Sequence, residues 1–374
     1  MRRLIYIFII GLLLCSYTWA DGSRYASKSL LSEGKWVKIR VDKTGIYKLS
    51  YADLKNMGFS DPSKVSVHGY GGWPLDEDFS KEYIDDVPST PVWRGSDYLL
   101  FYGKGPVKWE YDSSSQTFVH TNNPYSLYGY YFVTDATPTN DMTSVAQASG
   151  ATNRITTYDD YLVHEQELVS LAKSGRELYG EDFSGATPRT LSTFSSIPGI
   201  TNEDAKVTMS FVSKVTSGTG VASLSINQSN VLDVSIRSNR EEYVKALEGV
   251  STAVWKGEKS EKNSVVVSYN SASHNNVRLN YVRLHFKRTL QPYGAYTFFR
   301  SIASIGNVSR FVAQGANANT LVFDVTDAQR VRLMETELNG SELTFSIPAG
   351  TLREFVLVRT DQSFISPEVV GEVE

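Results

Sequence analysis

Apolar and polar positions alternate with a period of two through most of the chain. In KWVKIRVD (35–42) Val37, Ile39 and Val41 alternate with Lys38 and Arg40, and Lys43-Thr44-Gly45 leads into IYKLS (46–50), a spacing that predicts a β-hairpin. One short helix is predicted next. Ser50 can cap the orphan amides of residues 51–57, Asp53 occupies the capping-box position with a charge that suits the helix dipole, and Gly58 supplies the left-handed stop. DYLLFYG (97–103), VKWEYD (107–112), QTFVHT (116–121) and GYYFVTD (129–135) continue the strand pattern, with Ser113 to Ser115 as a turn, and complete a β-rich domain over 21–135.

The stretch ATPTNDMTSVAQASGATN (136–153) loses this periodicity, which makes 136–158 a linker or long loop. DDYLVHEQELVSLAKSGRE (159–177) mixes helical spacing with strand-forming residues and predicts neither. Strands resume at AKVTMSFVS (205–213), GVASLSINQ (from about 219), NVLDVSIR (230–237), NSVVVSYN (263–270), VRLNYVRLHFKR (277–288), NTLVFDVTD (319–327), ELTFSIP (342–348) and LREFVLVRT (352–360). Short strands joined by polar turns predict a jelly-roll-like β-sandwich over 159–374. The expected fold class is therefore all-β: two β-rich domains with few short helices, and no repeat of fixed period.

Residues 1–20 break the alternation. Arg2 and Arg3 precede the apolar run Leu4 to Leu14, and Thr18-Trp19-Ala20 places small residues at the −3 and −1 positions of a cleavage site before Asp21, as in a secretory signal peptide. The run is too short to span a bilayer, and no transmembrane segment is expected in the mature chain. Cys15, the chain's one cysteine, leaves with this segment; bulky Leu14 before it argues against a lipoprotein site. Export to the periplasm or the outer-membrane surface is the expected localisation. Cleavage leaves 35 basic and 41 acidic side chains, a net charge of −6 against −4 for the whole chain, so nucleic acid is not an expected partner. With no disulfide to form, stability has to come from apolar burial, and 22 Tyr, 17 Phe and 27 Gly suit a strand-rich exported protein.

Candidate chemistry is sparse. None of His68, His120, His164, His274 and His285 shares a metal-ligand spacing with another histidine, and HEQE (164–167) lacks the second histidine of a zinc-protease helix and reads as an exposed surface stretch. His285 shares a strand face with Tyr281, Arg283 and Lys287, opposite apolar Val282, Leu284 and Phe286, so its expected neighbour is solvent or a partner. No GxSxG elbow is present. HGYGGWPLDEDF (68–79) combines flexible Gly69, Gly71 and Gly72 with the platforms Tyr70 and Trp73, either for a ligand or simply for a turn. Asp76, Glu77, Asp78, Glu82, Asp85 and Asp86 offer hard oxygens; Asp76, Asp78, Asp85 and Asp86 are weak calcium candidates without EF-hand spacing, and solvated charge is the simpler reading. No other cofactor is expected. Tyr125, Tyr128 and Tyr130 in NNPYSLYGYYF (122–132) can stack on a glycan or anchor a protein partner. Asp85 with Asp86, or Glu165 with Glu167, would serve as acid and base only if burial shifted them.

VKIRVDKTGIYKLSYADLKNMGF (37–59), HGYGGWPLDEDF, YIDDVPSTPV (83–92), DYLLFYGKGPVKWEYD (97–112), NNPYSLYGYYFVTD (122–135), SGRELYGEDF (174–183), VRLNYVRLHFKRTL (277–290), FDVTD (323–327) and SFISPEVVGEVE (363–374) together carry a family likeness. The chain resembles the amino-terminal region of the PorU-like sortases, gingipain-like cysteine peptidases of the Bacteroidetes type IX secretion system. The resemblance implies a family that removes a C-terminal sorting domain from secreted cargo and helps attach that cargo to lipopolysaccharide. In that family a Cys/His catalytic domain follows the matched region, and the chain reaches Glu374 about where it would begin. No position matches the catalytic motif, so no catalytic residue is expected here, and a thiolate mechanism needs a cysteine that the mature chain lacks. The expected role is a non-catalytic scaffold or docking surface. Its expected partners are a peptidase domain of the same or a split protein and the type IX outer-membrane shuttle and attachment components. The alternative is a stand-alone exported β-sandwich module that binds carbohydrate or a cell-surface partner.

Overall fold

The computed structural model describes residues 25–373 apart from 79, 82–83, 172–176, 239–245, 272–273 and 275. The signal-peptide reading of 1–20, Cys15 and candidate Glu82 lie outside the described residues.

The N-terminal module is built from two sheets around one core. The first runs in the order Glu368–Glu372, Val37–Val41, Gly129–Thr134, Ser66–Gly71, Ser89–Thr90; the second is Gly45–Ser50, Tyr98–Gly103, Val92–Arg94. The hairpin expected at 35–50 does not form. Val37–Val41 pairs with Glu368–Glu372 and Gly129–Thr134, whereas Gly45–Ser50 pairs with Tyr98–Gly103 in the other sheet. The reason lies in Gly45–Ser50, which needs cover on both faces: Tyr47 and Leu49 join Ile39, Phe101, Tyr131 and Val133 inside the module, while Ile46 enters a different cluster. A two-stranded ribbon with one solvated face cannot bury both sets, so Lys43-Thr44-Gly45 acts as a corner between sheets. The helix forms as expected, at Tyr51–Asn56: Ser50 Oγ accepts from the Asp53 amide (3.0 Å), and Gly58 has φ +91°.

A nine-stranded sheet organises the rest, in the order Ser144–Val145, Arg332–Met334, Thr320–Asp324, Glu354–Arg359, Tyr296–Arg300, Thr157–Glu165, Val277–Thr289, Ala205–Ser213, Leu247–Trp255. Two four-stranded sheets lie on one of its faces. Arg189–Thr190, Val265–Tyr269, Thr219–Ile226 and Ser229–Arg237 close a core with Met209, Phe211, Leu284 and Phe286. Asn153–Ile155, Asn307–Ala313, Glu342–Ala349 and Glu337–Asn339 close another, where Phe311 and Phe345 stack with centroids 5.1 Å apart against Phe299 and Phe355. The all-β class with few short helices holds; two sheets lie side by side on a third, which draws strands from 144–145 onward, whereas Glu368–Glu372 joins the N-terminal module. The expected linker 136–158 contributes two short strands, each running parallel to its neighbour, Ser144–Val145 on Arg332–Met334 and Asn153–Ile155 on Asn307–Ala313, and the start of the interior strand Thr157–Glu165.

The N-terminal module covers the opposite face of this shared sheet. Ile46, Leu100 and Tyr102 pack with Phe323, Val325, Val356 and Val358. Beside them the hairpin Val107–Asp112/Thr117–Asn122 lies over the polar half: Trp109 stacks on Tyr161 (3.9 Å, 16°), and Phe118 meets His285 edge-on (5.0 Å, 90°). The expectation that His285 faces solvent or a partner is thereby corrected. It is buried beneath the chain's own hairpin, with Nε2 3.0 Å from Asp159, whose carboxylate also receives Lys287 (2.9 Å) and the Ile302 amide (2.7 Å). Burial would lift this carboxyl, but the His285, Lys287 and Ile302 contacts outweigh it and hold Asp159 below the usual carboxylate range.

Candidate functional site

A groove of about 1320 Å³ opens where the N-terminal module meets the shared sheet. One wall is the loop after strand Ser66–Gly71, with Tyr70, Trp73, Asp76 and Asp78. Another is the end of strand Thr117–Asn122 and the loop beyond it, with His120, Asn122, Tyr125, Tyr128 and Tyr130. Glu165, Glu167, Glu177, Tyr179, Glu248 and Tyr281 complete the lining.

The glycines of HGYGG bring the backbone close to the chain itself. A Cβ on Gly69 (φ +138°) would sit 2.9 Å from the Tyr130 carbonyl oxygen, and one on Gly71 (φ +85°) 2.7 Å from the Tyr131 hydroxyl, so both positions favour glycine for conformation and for space. The strand bulges between His68 and Gly71, and this bulge aims Tyr70 and Trp73 into the groove. Beneath them lies Lys104, almost wholly buried, with Nζ 3.8 Å from the Tyr70 ring centroid and 4.7 Å from that of Trp73. Burial drives this ammonium down to about 8, with Asp327 acting in the opposite direction. Tyr128 and Tyr130 carry cations in the same way, Arg40 at 4.1 Å and Lys38 at 4.2 Å, while Tyr125 stands 80% exposed at the rim.

At the opposite end, HEQE is not the exposed stretch expected from its spacing. His164 is buried, between Thr193 (2.8 Å) and Glu181 (2.6 Å); Glu165 accepts from His120 Nε2 (3.0 Å) and Asn122 Nδ2 (2.7 Å). Glu165 is covered by a hairpin from some forty residues upstream and His164, on the other face of the strand, by residues 17 and 29 positions downstream, all beyond the reach of local pattern. Asn122 also donates to Glu167 (3.2 Å), so one amide joins the two carboxylates. Burial, together with the charges of Glu165 and Glu177, raises the Glu167 carboxyl above its ordinary range. Tyr179 is pushed up to about 12 by burial and by its hydrogen bond to Glu177.

Of the residues singled out in the sequence, Tyr70, Trp73, Tyr125, Tyr128, Tyr130, Asp76, Asp78 and Asp86 all line this groove, and Asp85 does not. The four calcium candidates divide into two sets. Asp76 pairs with Lys81 (2.5 Å) and Asp78 accepts from Ser80 (2.7 Å), whereas Asp85 accepts from the Ala26 amide and Asp86 from Ser29 Oγ (2.8 Å) and the Leu30 amide (2.6 Å). Calcium takes six to eight oxygens, and among the described residues no three of His, Cys, Asp and Glu are grouped as a metal site. Sequence reasoning missed His120, Glu177, Tyr179, Glu248 and Tyr281 as groove residues, because they arrive from four separate strands and loops and carry no local signal.

The arrangement can hold a ligand on aromatic faces against carboxylates, and its resemblances to solved structures bear on what it belongs to. The crystal structure of dimeric latent PorU from Porphyromonas gingivalis matches 94% of this chain at 30% identity, with a TM-score of 0.86. The chain is PorU-like over nearly its whole length. It spans about a third of the PorU chain, 34%. BuGH86 in complex with neoagarooctaose (11% identity, 68% of this chain and 32% of that one, TM-score 0.23) and the Arthrobacter globiformis isomalto-dextranase complexed with panose (9%, 67% and 35%, TM-score 0.21) align too poorly to carry an argument. No protein-family model matches the chain, and no curated protein does. None of the described helices is long and apolar enough to cross a membrane.

Proposed function

We propose that this PorU-like chain is a non-catalytic region of a gingipain-type cysteine peptidase and sortase, acting as scaffold and docking surface in the processing and surface attachment of secreted proteins. The carrying observation is the PorU match across 94% of the chain. The composition supports it: the sole thiol is Cys15, within the segment read as a signal peptide, so covalent thiol chemistry needs another domain. On this reading the chain is exported to the periplasm or cell surface, and its partners are the peptidase domain and the type IX outer-membrane shuttle and attachment components. The seam architecture supports a docking role, since the groove is assembled from both the N-terminal module and the shared sheet and is as stable as their contact. The test is size-exclusion chromatography of residues 21–374 with a separately produced PorU-like peptidase domain. A co-eluting complex is expected, and independent elution at concentrations in the tens of micromolar, roughly, contradicts the proposal.

A second reading is favoured by exposed Tyr125 on the groove that Trp73 also lines: an exported module that binds carbohydrate or a cell-surface partner. Neutral-glycan array binding that disappears in Tyr70→Ala or Trp73→Ala would support it.

A further inference from the structure

We propose that the groove receives an extended polypeptide segment bearing lysine or arginine side chains. The inference rests on the docking role proposed above and names the chemistry of what docks.

Size is the first argument. Pockets for small molecules enclose about 300–1,000 Å³; the groove, at about 1320 Å³, is larger, as a run of polymer requires. Charge is the second. Glu165, Glu167, Glu177 and Glu248 crowd one end, and among the described residues they meet neutral donors and one histidine: Asn122 and His120, the Tyr179 hydroxyl, Ser210 and Asn280. No described lysine or arginine forms a direct ion pair with any of the four; Arg283 reaches Glu165 only through His120, whose Nδ1 lies 3.3 Å from the guanidinium, and Glu167, Glu177 and Glu248 have no such neighbour among the described contacts. The Glu167 carboxyl is raised first by burial and then by the charges of Glu165 and Glu177. An incoming ammonium or guanidinium relieves this repulsion, an anionic polysaccharide adds to it, and a neutral sugar leaves the carboxylates to lose water without a counter-charge.

The aromatic wall takes a different part of the same occupant. Tyr70, Tyr128 and Tyr130 are already engaged by Lys104, Arg40 and Lys38 at 3.8–4.2 Å, so the basic side chains of the segment go to the glutamate end and its apolar side chains to the rings. Backbone geometry supplies the extended form. Among the described residues strand Thr117–Asn122 pairs on one side, with Val107–Asp112, and its end lines the groove. A free strand edge beside side-chain subsites is how β-addition binds a peptide: main-chain bonds hold the segment, and alternate side chains select it.

The experiment is fluorescence anisotropy on residues 21–374 with a fluorescein-labelled peptide of alternating lysine and valine, about ten residues long, and a matched peptide of alternating glutamate and valine. The lysine peptide is expected to bind and the glutamate peptide not. Glu167→Gln/Glu248→Gln, which keeps shape and removes two charges, should weaken binding about tenfold or more, and raising salt from about 50 to 300 mM should weaken it further. An unchanged melting temperature of this variant ties the loss to charge. Equal binding of both peptides, or lysine-peptide binding indifferent to the double substitution, overturns the proposal. So does binding of a neutral oligosaccharide that is lost in Tyr125→Ala and kept in the double variant. If the lysine peptide fails while the peptidase domain still co-elutes with the chain, this inference falls and the docking function stands; if co-elution fails as well, both fall.

Discussion

Replacing Phe118 by alanine tests how the groove is held together. Phe118 is 2% exposed on the hairpin strand Thr117–Asn122, 5.1 Å from the Tyr161 ring and 5.0 Å from that of His285, with the Arg300 guanidinium 5.8 Å away. Truncating a buried phenylalanine removes its transfer energy and leaves a cavity, together about 3–5 kcal/mol. The next residue is the internal control. Val119 points the other way, 37% exposed, and Val119→Ala should change stability by no more than about 0.5 kcal/mol. Guanidinium unfolding read by tryptophan fluorescence gives the two differences, and amide exchange locates them: protection should fall across 107–122 in Phe118→Ala and stay in Val119→Ala. Because the same strand carries His120 and Asn122 to Glu165, the lost protection should extend to residues around 165. Equal stability and exchange for the two variants would refute the claim that this hairpin is seated on the shared sheet.

Three further outcomes are expected. Asp159 is held below its ordinary range by His285, Lys287 and the Ile302 amide, so its contribution is present above the unfolded value of about 3.9 and is lost as pH falls through the depressed folded value; melting temperature against pH should show an acid loss that Asp159→Asn diminishes. Lys104 is depressed as well, so the slope has the same sign in an alkaline window: between its folded value of about 8 and the unfolded value of about 10.4 the unfolded chain binds more protons, stability rises with pH, and a fluorescence change from Trp73 centred near pH 8 should vanish in Lys104→Met. Ser50→Ala removes the cap of helix Tyr51–Asn56 and should lower stability by about 1 kcal/mol in denaturant unfolding.

Local structure was legible where it depends on neighbours in sequence. VKWEYD and AKVTMSFVS are strands with the bounds their alternation gives, and Ser50, Asp53 and Gly58 frame the helix as capping chemistry requires. Pairing was less legible. Val37–Val41 and Gly45–Ser50 look like a hairpin from spacing, but their partners lie at 129–134, 368–372 and 98–103, and nothing within ten residues announces that. Leu247–Trp255 escaped notice because its alternation is of small and polar residues at an outer edge of the shared sheet, and DDYLVHEQE because an interior strand with polar residues on its covered face mimics an amphipathic helix. The groove repeats the lesson: Tyr70, Trp73, Tyr125, Tyr128 and Tyr130 stood out by residue type and Glu165 with Glu167 as a local pair, whereas their meeting with one another and with Glu177 and Glu248 is made by tertiary contact alone.

A single cleavage assay bears most directly on the claim that this region serves a PorU-like peptidase through its surfaces. It compares residues 21–374 alone, the peptidase domain alone and the two mixed, on one peptide substrate with contaminating proteases excluded. The account predicts no turnover by the chain alone and an altered rate in the mixture relative to the domain. Turnover by the chain alone would contradict it.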